Sequence, residues 1–517
     1  MKFDKGQVLK NVGSSWFALG MNVLVGVFLS PYILHRLGDE AFGLWILIFS
    51  VTGYYGLFDL GIRSSIVRYV AKYSATEEHE ELNQLINTAM LSYSAIGVVA
   101  IATTLIAARY VSSIFRIPAD FVGTARWLLI MVGTSVALGF PLGVFSGALE
   151  GLQRFYLLNF TSITSTLLRA VLIVIALRHG GGLLTVALIT VSLPLVNGVV
   201  NAAFVFWHVP LHFGAKYVNR SSLRRIASYS GTTFLIIVAG RLRFKTDALV
   251  IGTFVSAAAI TYFTIGSRLV DYASEVVSSL AQIFVPMSSQ SQAKGDIDAL
   301  RKIFVVGNRA CAFIIFPITT ILTILGKSVI ETWMGPKYVA TSYPVLLILL
   351  YPTTLMLAQS ASGRTLWGMA QHRTWAWVVL VEGASNLILS VILVRPYGIV
   401  GDAIGTAIPL TCSMIFFLPR HLCRLLGIEL RTYLKRAFVL PLALCVPLVA
   451  VLLLMRHWFV PHRLSQLLIQ LVLGGLTYGV GLAWAFWTRR AWDVGTLGTN
   501  QESEVTLALV ETYQEEA

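Results

Sequence analysis

The groups in this sequence that could do chemistry are charged side chains embedded in stretches apolar enough to sit in hydrocarbon. An ionisable group at bilayer depth costs several kcal/mol unless it is paired or hydrated, so such residues mark ion, substrate or proton paths. Arg241, Arg243, Lys245 and Asp247 fall within seven residues of one apolar run. At about 100° per residue, Arg241 and Lys245 share one helical face while Arg243 and Asp247 share roughly the opposite one. Both faces cannot point into lipid. The economical arrangement pairs Arg243 with Asp247 against the protein and leaves Arg241 and Lys245 facing a hydrated cavity; a helix end placed nearer the interface is the alternative. Arg268, Asp271 and Glu275 are spaced i, i+3 and i+7 and lie on one stripe. Asp59 and Arg63, four apart and preceded by Tyr54, Tyr55 and Phe58, are spaced to pair on one helical face. They form either an interfacial ion pair or part of a cavity wall with aromatic faces for sugar rings. Arg126, Arg169 and Arg309 are isolated cations, each able to bond carbonyls between helices or to line a cavity, and Glu382 with Asn386 adds an acid and an amide. Seven buried cations against about five acids (Asp59, Asp247, Asp271, Glu275 and Glu382) predict a mildly positive lumen suited to an anionic cargo.

The elements that hold these groups are membrane helices. Of the 517 residues, 56% are hydrophobic and only 12% are charged, against about 25% charged in a soluble domain. A soluble enzyme is excluded on that ground. A span needs about 20 mostly apolar residues. Fourteen runs qualify: 12–34, 42–62, 84–108, 121–148, 157–178, 183–207, 226–252, 258–285, 305–330, 340–361, 374–394, 399–419, 437–456 and 464–487. The expected fold is therefore an all-α polytopic membrane protein with about 14 transmembrane helices. The first run follows MKFDKGQVLKN without a small-residue cleavage pattern and reads as a retained helix.

Placing the N-terminus inside puts 23 loop cations on one side and 9 on the other. Lys and Arg gather on the cytoplasmic side of short loops, so both termini are expected there. The net charge of +14 is then a topological signal directed at anionic lipid headgroups, with no nucleic-acid partner implied.

Gly13-Ser14-Ser15-Trp16 and Gly231-Thr232-Thr233-Phe234 are offset by 218 residues, and the same offset brings Trp45 onto Phe263. This predicts two pseudo-symmetric six-helix bundles plus two C-terminal helices. The expected divisions are an N-terminal lobe at 1–208, a cytoplasmic linker at 209–225, a C-terminal lobe at 226–422, appended helices 13 and 14 at 423–490, and an acidic cytoplasmic tail at 491–517. No loop exceeds about 22 residues, which leaves no room for a large extramembrane catalytic domain. The sequence contains no Gly-rich phosphate loop before a helix, no Cys/His metal spacing and no nucleophile triad, and the four cysteines sit in or beside apolar runs. No cofactor, metal or catalytic residue is expected.

Leu37-Gly38-Asp39-Glu40-Ala41-Phe42-Gly43-Leu44-Trp45, followed by Gly56-Leu57-Phe58-Asp59-Leu60-Gly61 and Arg68-Tyr69, resembles the first two helices of Wzx-type polysaccharide flippases of the multidrug/oligosaccharidyl-lipid/polysaccharide exporter superfamily. Thr246-Asp247-Ala248-Leu249-Val250-Ile251-Gly252, with Tyr262-Phe263 and Arg268-Leu269, is similar to the seventh and eighth. The resemblance implies translocation of an undecaprenyl-diphosphate-linked oligosaccharide to the outer leaflet by alternating access, for O-antigen or other polysaccharide synthesis. It carries over Asp247 and Arg268; Arg241 and Lys245 rest on the helical-face argument alone. Substrate cations are then Arg241, Lys245, Arg268, Arg63 and Arg309. The groups for coupling to H+ or Na+, or for charge pairing, are Asp59, Asp247, Asp271, Glu275 and Glu382. A glycan polymerase or ligase of the same pathway is a candidate partner. A lipid-linked peptidoglycan precursor flippase stays open, as does a multidrug antiporter, which would want an acidic, aromatic pocket in the N-terminal lobe. A membrane polymerase or ligase is the reading from a different class.

Overall fold

The computed structural model describes residues 5–225, 238, 240, 241, 243, 246–371, 373–458, 460–461 and 463–493. Lys245, most of the expected span 226–252 and nearly all of the acidic tail lie outside them. Every element among the described residues is helical. Eleven segments are long and apolar enough to cross a membrane. This differs from the fourteen expected for identifiable reasons. Helix Ala257–Ala281 carries Arg268, Asp271 and Glu275, which lower its apolarity. The expected spans 374–394 and 399–419 fall in one apolar stretch, Thr374–Leu426. The chain divides into two compact units, Met1–Thr261 and Tyr262–Ala517.

In the first unit the long helices are α1 (Lys5–Leu37), α2 (Asp39–Gly53), α3 (Ile62–Ala75), α4 (His79–Ile114), α5 (Val122–Gly151), α6 (Phe155–Arg178) and α7 (Leu183–His208). Apolar residues at helical spacing on α3, α4 and α5 bury a shared core around Ile66, Val70, Leu85, Ile86, Val144 and Leu149. A lipid-facing helix gains little from hydrophobicity alone, so close backbone approach through small residues carries much of the packing. A side chain at Gly97 of α4, for example, would begin 2.8 Å from the Ala137 carbonyl oxygen of α5.

The helices of this unit are interrupted at two functionally relevant places. The chain leaves α2 through a 3-10 turn, Tyr54–Asp59, and reverses through Leu60 and Gly61 at φ 51° and 80° before α3 begins. The stretch after α7 is strapped to α4: Asn83 Oδ1 accepts the His212 N–H at 2.7 Å, Asn87 Nδ2 donates to the His212 carbonyl at 2.9 Å, and Thr88 Oγ1 accepts the Asn219 N–H at 3.1 Å.

The second unit contains a polar hairpin. Helix Arg373–Cys412 is interrupted at Gly398, φ 57° and ψ −140°. Its arms are joined by Thr406 Oγ1 to Asn386 Oδ1 at 3.0 Å and Ser390 Oγ to the Asp402 carbonyl at 3.2 Å. Gly405 permits this approach, because a Cβ there would lie 2.5 Å from the Ser390 amide nitrogen. Gly475, on the helix Leu464–Trp487, has open space at the same position. Overpacking typically costs about 1–3 kcal/mol, whereas Ala for Gly in an uncrowded helix gains about 0.5–1 kcal/mol. Gly405→Ala is therefore expected to lower the thermal midpoint of the detergent-solubilised protein while Gly475→Ala leaves it unchanged or raises it. Equal midpoints for the two variants would contradict the tight hairpin.

Candidate functional site

The first unit encloses a cavity of about 780 Å³, within the range of roughly 300–1,000 Å³ typical of small-molecule sites. Its walls come from the end of α2, the Asp59 turn, α4, α5, α6 and α7. Its charged lining is Asp59, Arg63 and Glu150.

The backbone break after α2 decides how these three are used. Spacing alone puts Asp59 and Arg63 on one continuous helical face, paired to each other. The left-handed turn at Leu60 and Gly61 separates them into different elements. Asp59 Oδ1 accepts the Arg63 backbone N–H at 3.3 Å, capping the start of α3, and also accepts the hydroxyl of Tyr93. A carboxylate is well placed at a helix N-terminus, where the macrodipole is positive. The Arg63 guanidinium reaches Glu150 on α5, with Nη2 and Nε each 3.2 Å from Oε2. The side-chain pair is thus Arg63–Glu150. Leu60 is a non-glycine residue in the left-handed region, a conformation costing roughly 1–2 kcal/mol, and such strain gathers at functional sites.

Arg241 stands beside this cavity. Its guanidinium lies against the turn after α2: a Cβ on Gly56 would be 2.7 Å from Nη2, and one on Gly53, a cavity residue, 3.8 Å from Nη1. Gly56 therefore makes room for the cation. Arg241 is half-buried whereas Arg243 is 7% exposed. Asp247 opens the short helix Asp247–Phe254 and is half-buried in its first turn. Lys245 lies outside the described residues.

The remaining expected residues belong to the second unit. Arg268, Asp271 and Glu275 are all exposed, on the face of helix Ala257–Ala281 opposite the buried Ala273, Val277 and Ala281. Glu382 is 4% exposed and accepts Ser413 Oγ at 2.5 Å in the polar hairpin, in which Asp402 is also buried. Arg309 is a correction. It was expected among the cavity cations, but it is 2% exposed and its Nε donates to the Arg436 carbonyl at 2.8 Å. Its Nη1 donates to the carbonyls of Arg490, Ala491 and Asp493 at 3.1, 3.0 and 2.8 Å. These carbonyls come after the helix Leu464–Trp487, where unsatisfied acceptors and the negative end of the dipole attract a cation. The guanidinium holds backbone together.

The sequence reading missed Glu150 and the polar residues Ser146, Ser162, Asn197 and Asn201, all of which line the cavity. The available signal was spacing: Ser146 with Glu150, and Asn197 with Asn201, each four apart in an apolar run.

A multi-pass, all-helical membrane protein with a polar cavity inside one unit is the architecture of a transporter. The model for a family described as polysaccharide biosynthesis protein matches residues 8–292. The chain belongs to that family. It is 21% identical over 435 residues to the uncharacterized membrane protein EpsK of Bacillus subtilis, spanning 82% of this chain and 85% of that protein. It is 18% identical over 407 residues to a putative O-antigen transporter of Shigella flexneri, spanning 78% and 94%. In fold it is similar to the lipid II flippase MurJ in an inward closed conformation, with a TM-score of 0.71 at 15% identity over 93% of this chain and 99% of that one.

The Arg309 cage has a direct test. Removing the guanidinium strands buried carbonyls, and losing hydrogen bonds of this kind costs about 1–3 kcal/mol for each group left unsatisfied. Arg309→Met is expected to lower the amount of folded protein and its thermal midpoint while leaving ligand affinity of the folded fraction at wild-type level. A folded variant of normal stability with weakened ligand binding would return Arg309 to the cavity set.

Proposed function

We propose that the protein is a flippase moving undecaprenyl-diphosphate-linked oligosaccharide units from the inner to the outer leaflet of the cytoplasmic membrane by alternating access. The observation that carries this reading is the cavity of the first unit, whose apolar walls are set with amides, hydroxyls and an ion pair, with Arg241 beside it. A headgroup crossing hydrocarbon needs hydrogen-bond partners for its sugars and cations for its diphosphate. Arg matches phosphate oxygens bidentately. Arg63 on the lining is paired with Glu150, so the diphosphate contacts we assign are Arg241 beside the cavity, Lys245 and Arg268. Coupling to H+ or Na+ falls to Asp59, Asp247, Asp271, Glu275 and Glu382. The full topology we propose has fourteen spans as two six-helix bundles with an appended pair and both termini cytoplasmic, and a polymerase or ligase of the same pathway as its partner.

One observation favours a second reading. The cavity combines two carboxylates, Asp59 and Glu150, with aromatic residues Phe49, Tyr93, Phe140 and Phe155, which is the chemistry an antiporter of organic cations would want. A lipid-linked peptidoglycan precursor would meet the same diphosphate contacts as a glycan unit.

The deciding measurement is the leaflet distribution of lipid-linked oligosaccharide in cells whose chromosomal copy carries Arg241→Ala with Arg268→Ala. Complete diphosphate-linked units are expected to accumulate on the inner face with surface glycan lost, while Arg420→Ala, whose guanidinium bonds the Ile415 and Phe416 carbonyls and lies over the Phe416 ring, exports normally. Full export from the double variant at normal protein levels would overturn the cationic contacts. Normal surface glycan in a deletion strain that becomes sensitive to cationic dyes would establish the antiporter.

A further inference from the structure

We propose that the cavity of the first unit is the sugar subsite of the cargo, read by a wall of amides and hydroxyls on α5, α6 and α7, and that the diphosphate does not enter it. This inference rests on the flippase reading and assigns a part of the substrate to named side chains.

The charge of the lining argues first. Arg63 is neutralised by Glu150 at 3.2 Å, and Asp59 is a further carboxylate. With Arg63 and Glu150 paired, the net charge of the lining is the carboxylate of Asp59, and a dianionic group brought against it would be repelled. Sugar hydroxyls have no such conflict, and carboxylates accept hydrogen bonds from them.

The hydrogen-bond inventory points the same way. Asn201 is held at both ends of its amide: its Oδ1 accepts Thr161 Oγ1 at 3.3 Å and its Nδ2 donates to Ser146 Oγ at 3.1 Å. That bond uses Ser146 as an acceptor and leaves its hydroxyl proton to donate into the cavity. Asn197, one turn before Asn201, and Ser162, on the neighbouring α6, line the same space, and among the described residues neither side chain hydrogen-bonds to protein. Polar side chains on membrane helices find partners in protein or in a water-filled cavity. The wall therefore offers neutral groups that both donate and accept. That pattern is complementary to vicinal hydroxyls and to an acetamido group, each of which also donates and accepts.

The opposite requirement of a sugar, an apolar surface for its ring face, is met on the cavity lining by the half-buried Phe140, backed by the buried Tyr93 with ring centroids 5.8 Å apart, and by the exposed Phe155. A volume of about 780 Å³ leaves room for a headgroup sugar of that size class.

The test uses the purified full-length chain in nanodiscs and measures dissociation constants for three probes: undecaprenyl diphosphate, the same lipid carrying one N-acetylglucosamine, and the same lipid carrying one galactose. The wild type is expected to bind at least one glycosylated probe about tenfold more tightly than the bare lipid, the scale of a hydrogen bond lost from a polar site. Asn197→Leu, nearly conserving volume, is expected to bring that probe to the affinity of the bare lipid. Ser162→Ala, a smaller change that guards against misfolding, should erase part of the preference. Arg241→Ala should weaken all three probes by one common factor. Wild-type binding of all three with equal affinity overturns the sugar subsite and leaves the flippase reading intact. So does a preference that survives both Asn197→Leu and Ser162→Ala. Binding of none of the three probes overturns the flippase reading and the subsite with it.

Discussion

The constraint on which this structure depends is that hydrocarbon offers no hydrogen-bond partner, so every polar group inside a span must find one in protein or in enclosed water. That single requirement sorts the charged residues into kinds. Arg309 is satisfied by backbone carbonyls at the end of a helix. Glu382 takes the Ser413 hydroxyl across a hairpin. Arg63 and Glu150 satisfy each other at the rim of an open cavity, where both also meet water. Buried polarity in the first two cases builds the fold; in the third it is available to a ligand.

The same requirement explains why the turn after α2 has the form it has. A continuous helix through Asp59 would leave its carboxylate with only a neighbour on the same helix. The reversal at Leu60 and Gly61 instead starts a new helix whose free N–H groups need an acceptor, and Asp59 supplies it at Arg63. This frees the Arg63 side chain to cross to α5. The strain at Leu60 is thus compensated by a cap and by an ion pair between elements.

Much of the helical architecture was legible because hydropathy is a local quantity. The expected spans 84–108, 121–148, 157–178 and 183–207 each fall inside a helix of the first unit. What was not legible is long-range. Arg63 and Glu150 are 87 residues apart, and nothing near either one marks the pairing. The acceptors of Arg309 lie 127 to 184 residues downstream and are backbone carbonyls, which carry no sequence signature at all. The lone position of Arg309 in an apolar run was equally compatible with a cavity role, and only the geometry of the helix end decides between them. The polar wall failed for a different reason: Asn197 and Ser162 carry no charge, and a reading that follows charges passes over them.

That bias matters for how a lipid-linked cargo is understood. A diphosphate draws attention to cations, yet most of a glycan headgroup is neutral, and neutral donors and acceptors lose as much on entering hydrocarbon as a peptide group does. A flippase that offered only positive charge would leave the sugars without partners at the moment they leave water. The separation proposed above would answer both demands, with an amide and hydroxyl wall on α5, α6 and α7 for the sugars and Arg241 at the Gly56 turn for the phosphates.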